Sequence, residues 1–117
     1  MICGRYYLGL DHMEEIAPIR REVFGVEQGW LDNILFDDVD ETAIQAVVYK
    51  DINRTIPVGV GRLHKTGDGE DYKIGRIAVK KDERGNGYGD FIVRMLVDKA
   101  LLMGADRVLV GAQPHAI

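Results

Sequence analysis

Three glycines within five residues, Gly85, Gly87 and Gly89, form the segment of this sequence best suited to binding a ligand. They follow an alternating apolar run at residues 74–79, which predicts a strand, and they precede a helical pattern at residues 88–103. Glycines before a helix let a ligand approach the backbone closely, and the helix N-terminus adds unpaired N–H donors and partial positive charge. The segment therefore predicts an anion site for a phosphate or pyrophosphate, with a ligand-free glycine turn as the alternative.

The spacing of these glycines distinguishes between kinds of phosphate site. A mononucleotide P-loop needs a Gly-Lys pair followed by Ser or Thr, and the sequence contains no Gly-Lys pair. The dinucleotide pattern Gly-x-Gly-x-x-Gly would require glycine at the position of Asp90. Asp106 also precedes the next predicted strand, whereas the ribose-binding acid of a dinucleotide fold follows it. Both familiar nucleotide folds are therefore disfavoured.

The pattern Arg84-x-x-Gly87-x-Gly89 after a strand resembles the acyl-coenzyme A signature of the GNAT superfamily of N-acyltransferases. Further segments are similar to one subgroup of small acetyltransferases in that superfamily, namely residues 23–28, 36–43, 60–63 and 112–116. The likeness runs from about Asp11 to Ile117, which is almost the whole chain.

This resemblance implies acetyl-coenzyme A as the acyl donor and a primary amine of a small molecule or peptide as the acceptor. It also implies that loop amides bind the coenzyme pyrophosphate, while the preceding strand's main chain holds the pantetheine arm and polarises the thioester carbonyl. The coenzyme-binding residues implied in this way are Ile77, Ala78, Val79, Arg84, Gly85, Asn86, Gly87, Tyr88 and Gly89.

Candidate residues for catalysis and acceptor binding lie elsewhere in the chain. Glu27 is the candidate general base, because amine acetylation needs a group that accepts a proton, and a solvated loop acid is the alternative. Arg62 and His115 are the candidates for acceptor binding, although Arg62 would face solvent in the alternative arrangement of its strand. The acidic turn at residues 37–40 either recognises a cationic amine or caps the following strand.

Composition limits the classes of function. At 117 residues, with 46% hydrophobic and 29% charged residues, the chain is expected to form a single globular domain over residues 1–117. Its net charge of -4 and lack of a basic cluster disfavour nucleic acid as a partner. A single cysteine, with no signal peptide and no membrane-spanning run, predicts a cytoplasmic protein that does not bind a membrane. Three scattered histidines give no metal-site pattern.

Periodicity predicts an α/β fold with a mixed, mainly antiparallel sheet. Short connections join the middle strands into an antiparallel meander, and a strand-helix-strand unit adds one parallel, right-handed crossover, as in the GNAT fold. Asp11 and Glu14 have the spacing of a helix capping box. The predicted strands cover residues 2–8, 43–50, 56–64, 72–79 and 107–112. The predicted helix at residues 88–103 turns Phe91, Ile92, Met95, Leu96 and Leu102 or Met103 toward the core.

The C-terminal region departs from the family that the sequence resembles. GNAT chains normally continue with a helix and two strands after this last strand, and that helix often supplies a tyrosine general acid. Because this sequence ends at Ile117, we expect coenzyme binding to be better retained than turnover. A non-catalytic acyl-coenzyme A-binding or regulatory module is the alternative function. An uncovered last strand also predicts a homodimer or completion of the sheet by another chain.

Overall fold

Five strands form one sheet in the computed structural model of the protein, which describes residues 2–67 and 69–111. In spatial order they are β1 (Cys3–Leu8), β2 (Ile44–Tyr49), β3 (Pro57–Lys65), β4 (Asp71–Val79) and β5 (Arg107–Val110). Neighbouring strands from β1 to β4 pair antiparallel, and β5 pairs with β4 in parallel. The predicted mixed sheet, with its meander and single parallel crossover, is confirmed.

Helical segments lie between the strands. They are α1 (Met13–Arg20), a π-helical turn (Arg21–Glu27) that directly continues α1, α2 (Asp32–Leu35), short 3-10 turns at Asp38–Glu41 and Lys81–Glu83, and α3 (Tyr88–Leu102). α3 connects β4 to β5 and lies on one face of the sheet, whereas α1 and the π-helical turn pack on the other face.

The capping box predicted at Asp11 is wrong. The N-cap of α1 is His12, and it makes no side-chain capping hydrogen bond. Successive backbone turns satisfy the first amides of the helix instead, for example the bond from Met13 N to Leu10 O at 3.3 Å. A capping box occurs in the acidic turn, where the Asp37 side chain accepts from Val39 N at 3.1 Å and Asp37 N donates back to Asp40 Oδ2 at 3.2 Å. The acidic turn therefore caps the chain before β2, and Asp40 within it is buried rather than solvated.

Two glycines of β3 let α3 approach the sheet closely. A Cβ atom at Gly59 would lie 2.9 Å from Ile92 Cδ1, and one at Gly61 would lie 2.6 Å from Ile92 Cγ2. Both distances are shorter than van der Waals contact, so larger residues at these positions would push the helix away from the strand. Ile92 is fully buried in the resulting contact.

The predicted core face of α3 is confirmed for its first turns, where Ile92 and Leu96 are fully buried and Phe91 and Met95 are partly buried. Its last turn differs. Ala100 occupies the core position, since it continues the four-residue spacing of the buried row. Leu102 is 85% exposed and Met103 is 42% exposed, so the prediction that one of them packs in the core is wrong.

β4 is distorted in its middle. The register between β3 and β4 shifts between Val60 and Arg62, opposite Arg76, whose φ of 52° lies in the left-handed region. β5 pairs only with the first part of β4, from Asp71 to Ile74. The second half of β4 therefore runs beyond β5 as far as the structure describes that strand, and its end leads into the glycine loop.

Candidate active site

The glycine loop between β4 and α3 has a backbone that only glycine adopts readily. Gly85 has φ of 84°, and Gly87, the N-cap of α3, has φ of 84° and ψ of 7°. A Cβ atom at either position would meet nothing within 4 Å, so conformation rather than packing requires these glycines. Phe91 N donates to Gly87 O at 3.0 Å, so the amides of Tyr88 and Gly89 precede the helical hydrogen-bond ladder and are left without acceptors inside it. Such a helix start is suited to an anion.

Gly89 differs from the two other glycines because its backbone is helical. A Cβ atom at this position would lie 3.8 Å from Val79 Cγ2, which is an ordinary contact distance. A side chain of one carbon therefore fits here, so neither packing nor backbone conformation requires glycine at this position.

An ion pair connects the loop to the π-helical turn. Arg84 Nη1 and Nη2 donate to Glu27 Oε2 and Oε1 at 2.8 and 2.7 Å, and Arg84 Nε donates to Val79 O at 3.1 Å. Each of the two side chains is about a quarter exposed, at 24% for Arg84 and 25% for Glu27. The candidate base thus lies beside the candidate coenzyme loop, in a bidentate pair with the first residue of the loop signature. Its role as a base stays a prediction.

The π-helical turn places Glu27 at this position. Val23 and Phe24 anchor the turn in the core, where both are fully buried. Trp30 then stacks on Phe24 with the ring centroids 4.7 Å apart, and the backbone N–H of Trp30 donates to Phe24 O at 2.8 Å. In the sequence, Gly25 and Gly29 interrupt the helical pattern. The π-helical turn itself could not be predicted, because a π-helical hydrogen-bond pattern leaves no distinct signal in residue periodicity.

The end of β4 offers its main chain rather than its side chains. Ala78 and Val79 are buried, and Ile77 is partly buried against the core under α3. This agrees with a backbone role for these residues in holding a pantetheine arm, and that role stays a prediction.

Arg62 lies in a buried cluster of ion pairs. Its Nη1 and Nη2 donate to Asp37 Oδ1 and Oδ2 at 2.7 and 3.0 Å, and its Nη1 also donates to Asp40 Oδ1 at 3.1 Å. Arg20 makes a bidentate pair with Asp40 at 2.8 Å for both bonds. We name Arg20, Asp37, Asp40, Arg62 and Arg76 the ion-pair cluster. Two guanidinium nitrogens of Arg62 are therefore already engaged, and its predicted acceptor contact stays a prediction.

Both carboxyl groups of the cluster are stabilised in their charged form. The hydrogen bonds from Arg62 hold the pKa of Asp37 below its usual range, against the opposing effect of burial. Burial would raise the pKa of Asp40, but the hydrogen bonds and charge of Arg20 outweigh it and hold that pKa well below its usual range. Arg20 was not among the predicted residues, although its place beside Ile16 and Ile19 on the apolar stripe of α1 was a signal of a buried charge.

The remaining expectations concern His115, a metal site and a membrane-spanning helix. His115 lies outside the described residues. Within residues 2–67 and 69–111, no group of three His, Cys, Asp or Glu side chains is arranged to hold a metal ion. No helix in the same part of the chain has the length and apolar composition needed to cross a membrane.

Comparisons with known proteins identify the family and the fold of the chain. A sequence model of the acetyltransferase (GNAT) family matches residues 10–117. Among solved structures, Escherichia coli ElaA matches with a TM-score of 0.82 and 24% identity over 98% of this chain and 80% of that protein. An acyl-CoA N-acyltransferase from Pseudomonas aeruginosa matches with a TM-score of 0.80 and 22% identity over 98% and 82% of the two chains.

A more distant match was solved with a coenzyme. N-acetylglutamate synthase from Neisseria gonorrhoeae, complexed with coenzyme A and N-acetyl-glutamate, has a TM-score of 0.68 and 19% identity over 94% of this chain and 25% of that protein. At these identities the structural matches establish the fold, and the sequence match over nearly the whole chain establishes the family. This chain belongs to the GNAT family of acetyltransferases.

Proposed function

We propose that this protein is an N-acetyltransferase that moves an acetyl group from acetyl-coenzyme A to a primary amine of a small molecule or peptide. The observation that carries the proposal is the loop at the start of α3, where two left-handed glycines precede backbone amides that have no helical acceptors. A pyrophosphate is the group that such a site favours. The coenzyme A in the Neisseria gonorrhoeae relative supports the choice of donor.

The proposed reaction is direct acyl transfer. The amine nitrogen attacks the thioester carbonyl carbon, an N–C bond forms, the C–S bond breaks, and coenzyme A leaves as a thiolate that a proton neutralises. Backbone N–H groups near Ile77 to Val79 stabilise the oxyanion of the intermediate. Glu27, directly or through water, accepts the proton that the amine loses.

Glu27 must first be released from its ion pair to act as the base. Both of its carboxylate oxygens accept hydrogen bonds from Arg84. A pyrophosphate bound at the glycine loop would compete for the same guanidinium, because phosphate oxygens form bidentate pairs with arginine as carboxylates do. Coenzyme binding would in this way free the carboxylate to accept a proton.

The second candidate function is a non-catalytic acyl-coenzyme A-binding or regulatory module. The bidentate pair between Arg84 and Glu27 favours this function on one condition. The pair would have to persist when the coenzyme is bound, so that it only connects the π-helical turn to the loop.

Calorimetry with acetyl-coenzyme A, ATP and NAD, followed by assays of thiol release with a panel of primary amines, tests both candidates. Binding of acetyl-coenzyme A in preference to ATP and NAD, with amine-dependent thiol release, supports the transferase. Binding without thiol release for any amine would favour the binding module. Tighter binding of ATP or NAD would contradict both candidates.

A further inference from the structure

Positive charge exceeds negative charge in the ion-pair cluster. Arg20, Arg62 and Arg76 are arranged around only two carboxylates, Asp37 and Asp40, which leaves one positive charge unbalanced. Both carboxylates are already in their charged form, so they cannot supply more negative charge. An unbalanced charge in a partly buried place is unfavourable unless an anion completes it.

Arg76 is the member of the cluster that an anion can reach. Its side chain is 22% exposed, compared with 0% for Arg20 and 5% for Arg62. Its Nη2 donates to Ile34 O at 3.1 Å and lies 3.5 Å from Asp37 Oδ2. Neither contact uses Nη1. Nε is buried and has no hydrogen-bond partner within the part of the chain that the structure describes. The end of the guanidinium at Nη1 is therefore the donor that remains for a ligand.

The guanidinium of Arg76 is held in a fixed orientation. Its central carbon lies 5.3 Å from the centroid of the Trp30 ring, and Trp30 is in turn stacked on Phe24. Stacking occupies the flat face of a guanidinium and leaves its edge free for a bidentate pair with a carboxylate. The left-handed backbone at Arg76 sets the direction from which this side chain leaves β4.

The adjacent strand surface is also positive. His64 pairs across the sheet with Lys73, and its buried Nδ1 has no hydrogen-bond partner among residues 2–67 and 69–111. Burial, followed by the charges of Arg62, Lys73 and Arg76, lowers the pKa of His64 against the opposing effect of Asp37. Three cationic groups and one carboxylate thus act on His64, and an anionic ligand prefers such a surrounding.

Arg76 also lies close to the place where the acyl group is proposed to bind. It directly precedes Ile77 on β4, and two residues of a strand span roughly 7 Å. In the proposed complex, the anionic group on Arg76 and the amine at the thioester belong to one small molecule.

We propose that the acceptor is an amino acid, whose carboxylate binds the edge of Arg76 while its amine faces the thioester at the end of β4. This inference rests on the proposed function for the position of the acyl group. The binding of the carboxylate itself rests only on the ion-pair cluster.

The test uses Trp30, the single tryptophan of the chain, as a fluorescent reporter beneath Arg76. Glycine, leucine and glutamate are titrated at constant ionic strength, each against its primary amide. We expect at least one amino acid to shift the Trp30 emission in a saturable way, with a response at least roughly 10-fold weaker for its amide, because a charge-assisted hydrogen bond is lost. Equal responses to acids and amides, or no response to any of them, would overturn the proposal.

Two substitutions sharpen the test. Arg76→Gln should weaken the response to the amino acid at least roughly 10-fold. Arg94→Gln, which removes the same charge from an exposed site on α3, should leave it unchanged. Asp37→Asn should strengthen the response, because it removes a negative charge beside Arg76 and keeps a side chain able to cap the turn. An unchanged response in folded Arg76→Gln contradicts the proposal, and so does a weaker response in Asp37→Asn. If Arg76→Gln does not fold, the response of Asp37→Asn decides.

Calorimetry with acetyl-coenzyme A on the same preparations separates the two proposals. Carboxylate binding without coenzyme binding would refute the proposed function alone. Coenzyme binding without any carboxylate response would refute the amino-acid acceptor alone.

Discussion

At the scale of single residues, Arg84 is placed between two possible anionic partners. In the structure its guanidinium is paired with Glu27, while the glycine loop that follows it is shaped for a phosphate. Both Nη atoms pair with Glu27 and Nε donates to Val79 O, so no edge of this guanidinium is left for a bidentate pair with phosphate while the present contacts persist. The same pair therefore links the occupancy of the loop to the freedom of the candidate base.

Glu27→Gln separates the catalytic role of this residue from its structural role. If Glu27 is the base, the variant should lower the acetylation rate by roughly 10²-fold or more, because the amide cannot accept the proton. Affinity for acetyl-coenzyme A should be unchanged or higher, since a neutral amide holds Arg84 less strongly. Steady-state kinetics and calorimetry measure the two effects, with Glu14→Gln on the exposed side of α1 as the control. Equal rates for the wild type and Glu27→Gln from pH 6 to 9 would exclude Glu27 as the base.

A second prediction for a single residue concerns the contribution of Asp40 to the free energy of unfolding. Asp40→Asn leaves Arg20 buried with a neutral partner, so we expect a loss of about 3–5 kcal/mol in the free energy of unfolding at pH 7. Because the pKa of Asp40 is lower in the folded chain than the usual value of about 3.9, its stabilising contribution is complete above that value and falls as the pH drops below it.

Urea unfolding at pH 7, 5 and 3 measures this effect. The difference between wild type and Asp40→Asn should narrow only at the lowest pH. Asp90→Asn, a change at an exposed acid of α3, should stay close to the wild type throughout. A difference that is constant across the three pH values would show that the charge of Asp40 does not stabilise the fold.

At the scale of secondary-structure elements, α3 carries two left-handed glycines of the same geometry at its opposite ends. Gly87 and Gly104 have φ of 84° and 86°, and a Cβ atom at either would meet nothing within 4 Å. Gly87→Val should abolish binding of coenzyme A, because the strained residue turns the loop amides away from the pyrophosphate. Gly104→Val should cost a similar amount of stability, and it should leave coenzyme binding intact. Calorimetry and thermal unfolding compare the pair, and equal binding losses in both would refute the pyrophosphate assignment.

Much of the sheet could be predicted from sequence because its elements have strong local patterns. β2, β3, β4 and most of α3 are built from alternating or four-residue apolar rows, and Gly104, with φ of 86°, follows the end of α3 as a C-terminal glycine commonly does. The glycine loop could be predicted for the same reason, since left-handed glycines next to a helix are a local feature. These signals do not depend on contacts with distant residues.

The features that escaped prediction depend on distant residues. Arg84 meets Glu27 across 57 positions of the chain, and Arg20 meets Asp40 and Arg62 from different elements. Residue types alone do not show which charges will pair across such distances. The left-handed backbone at Arg76 was also unexpected, because it results from a register shift between two strands and arises at a residue that seldom adopts it.

At the scale of the whole molecule, one group of exposed apolar side chains lies at the end of α3 and in β5. Leu101, Leu102, Leu109 and Val110 are between 48% and 85% exposed. We propose that this surface is covered in solution by a second copy or by another chain, since exposed apolar surface favours association. Light scattering at micromolar concentration should show a dimer or larger species.

Leu109→Lys provides the matched test of this proposal, because a lysine in β5 opposes burial of that strand against a partner. We expect it to shift the population toward monomer. Ile52→Lys, which changes a residue that is 67% exposed in the turn between β2 and β3, should not do so. A well-folded monomer for the wild type at the same concentration would exclude the association.

The π-helical turn at Arg21–Glu27 sets the direction in which the Glu27 side chain projects from the helix axis. Its hydrogen bonds connect residues five apart rather than four, so the turn holds one residue more than an α-helical turn would. Val23 and Phe24 are fixed in the core, so deleting Gly25 would move Glu27 to the place now held by Val26, whose side chain is 82% exposed. The carboxylate would then leave Arg84, and the ion pair therefore depends on the number of residues in the turn.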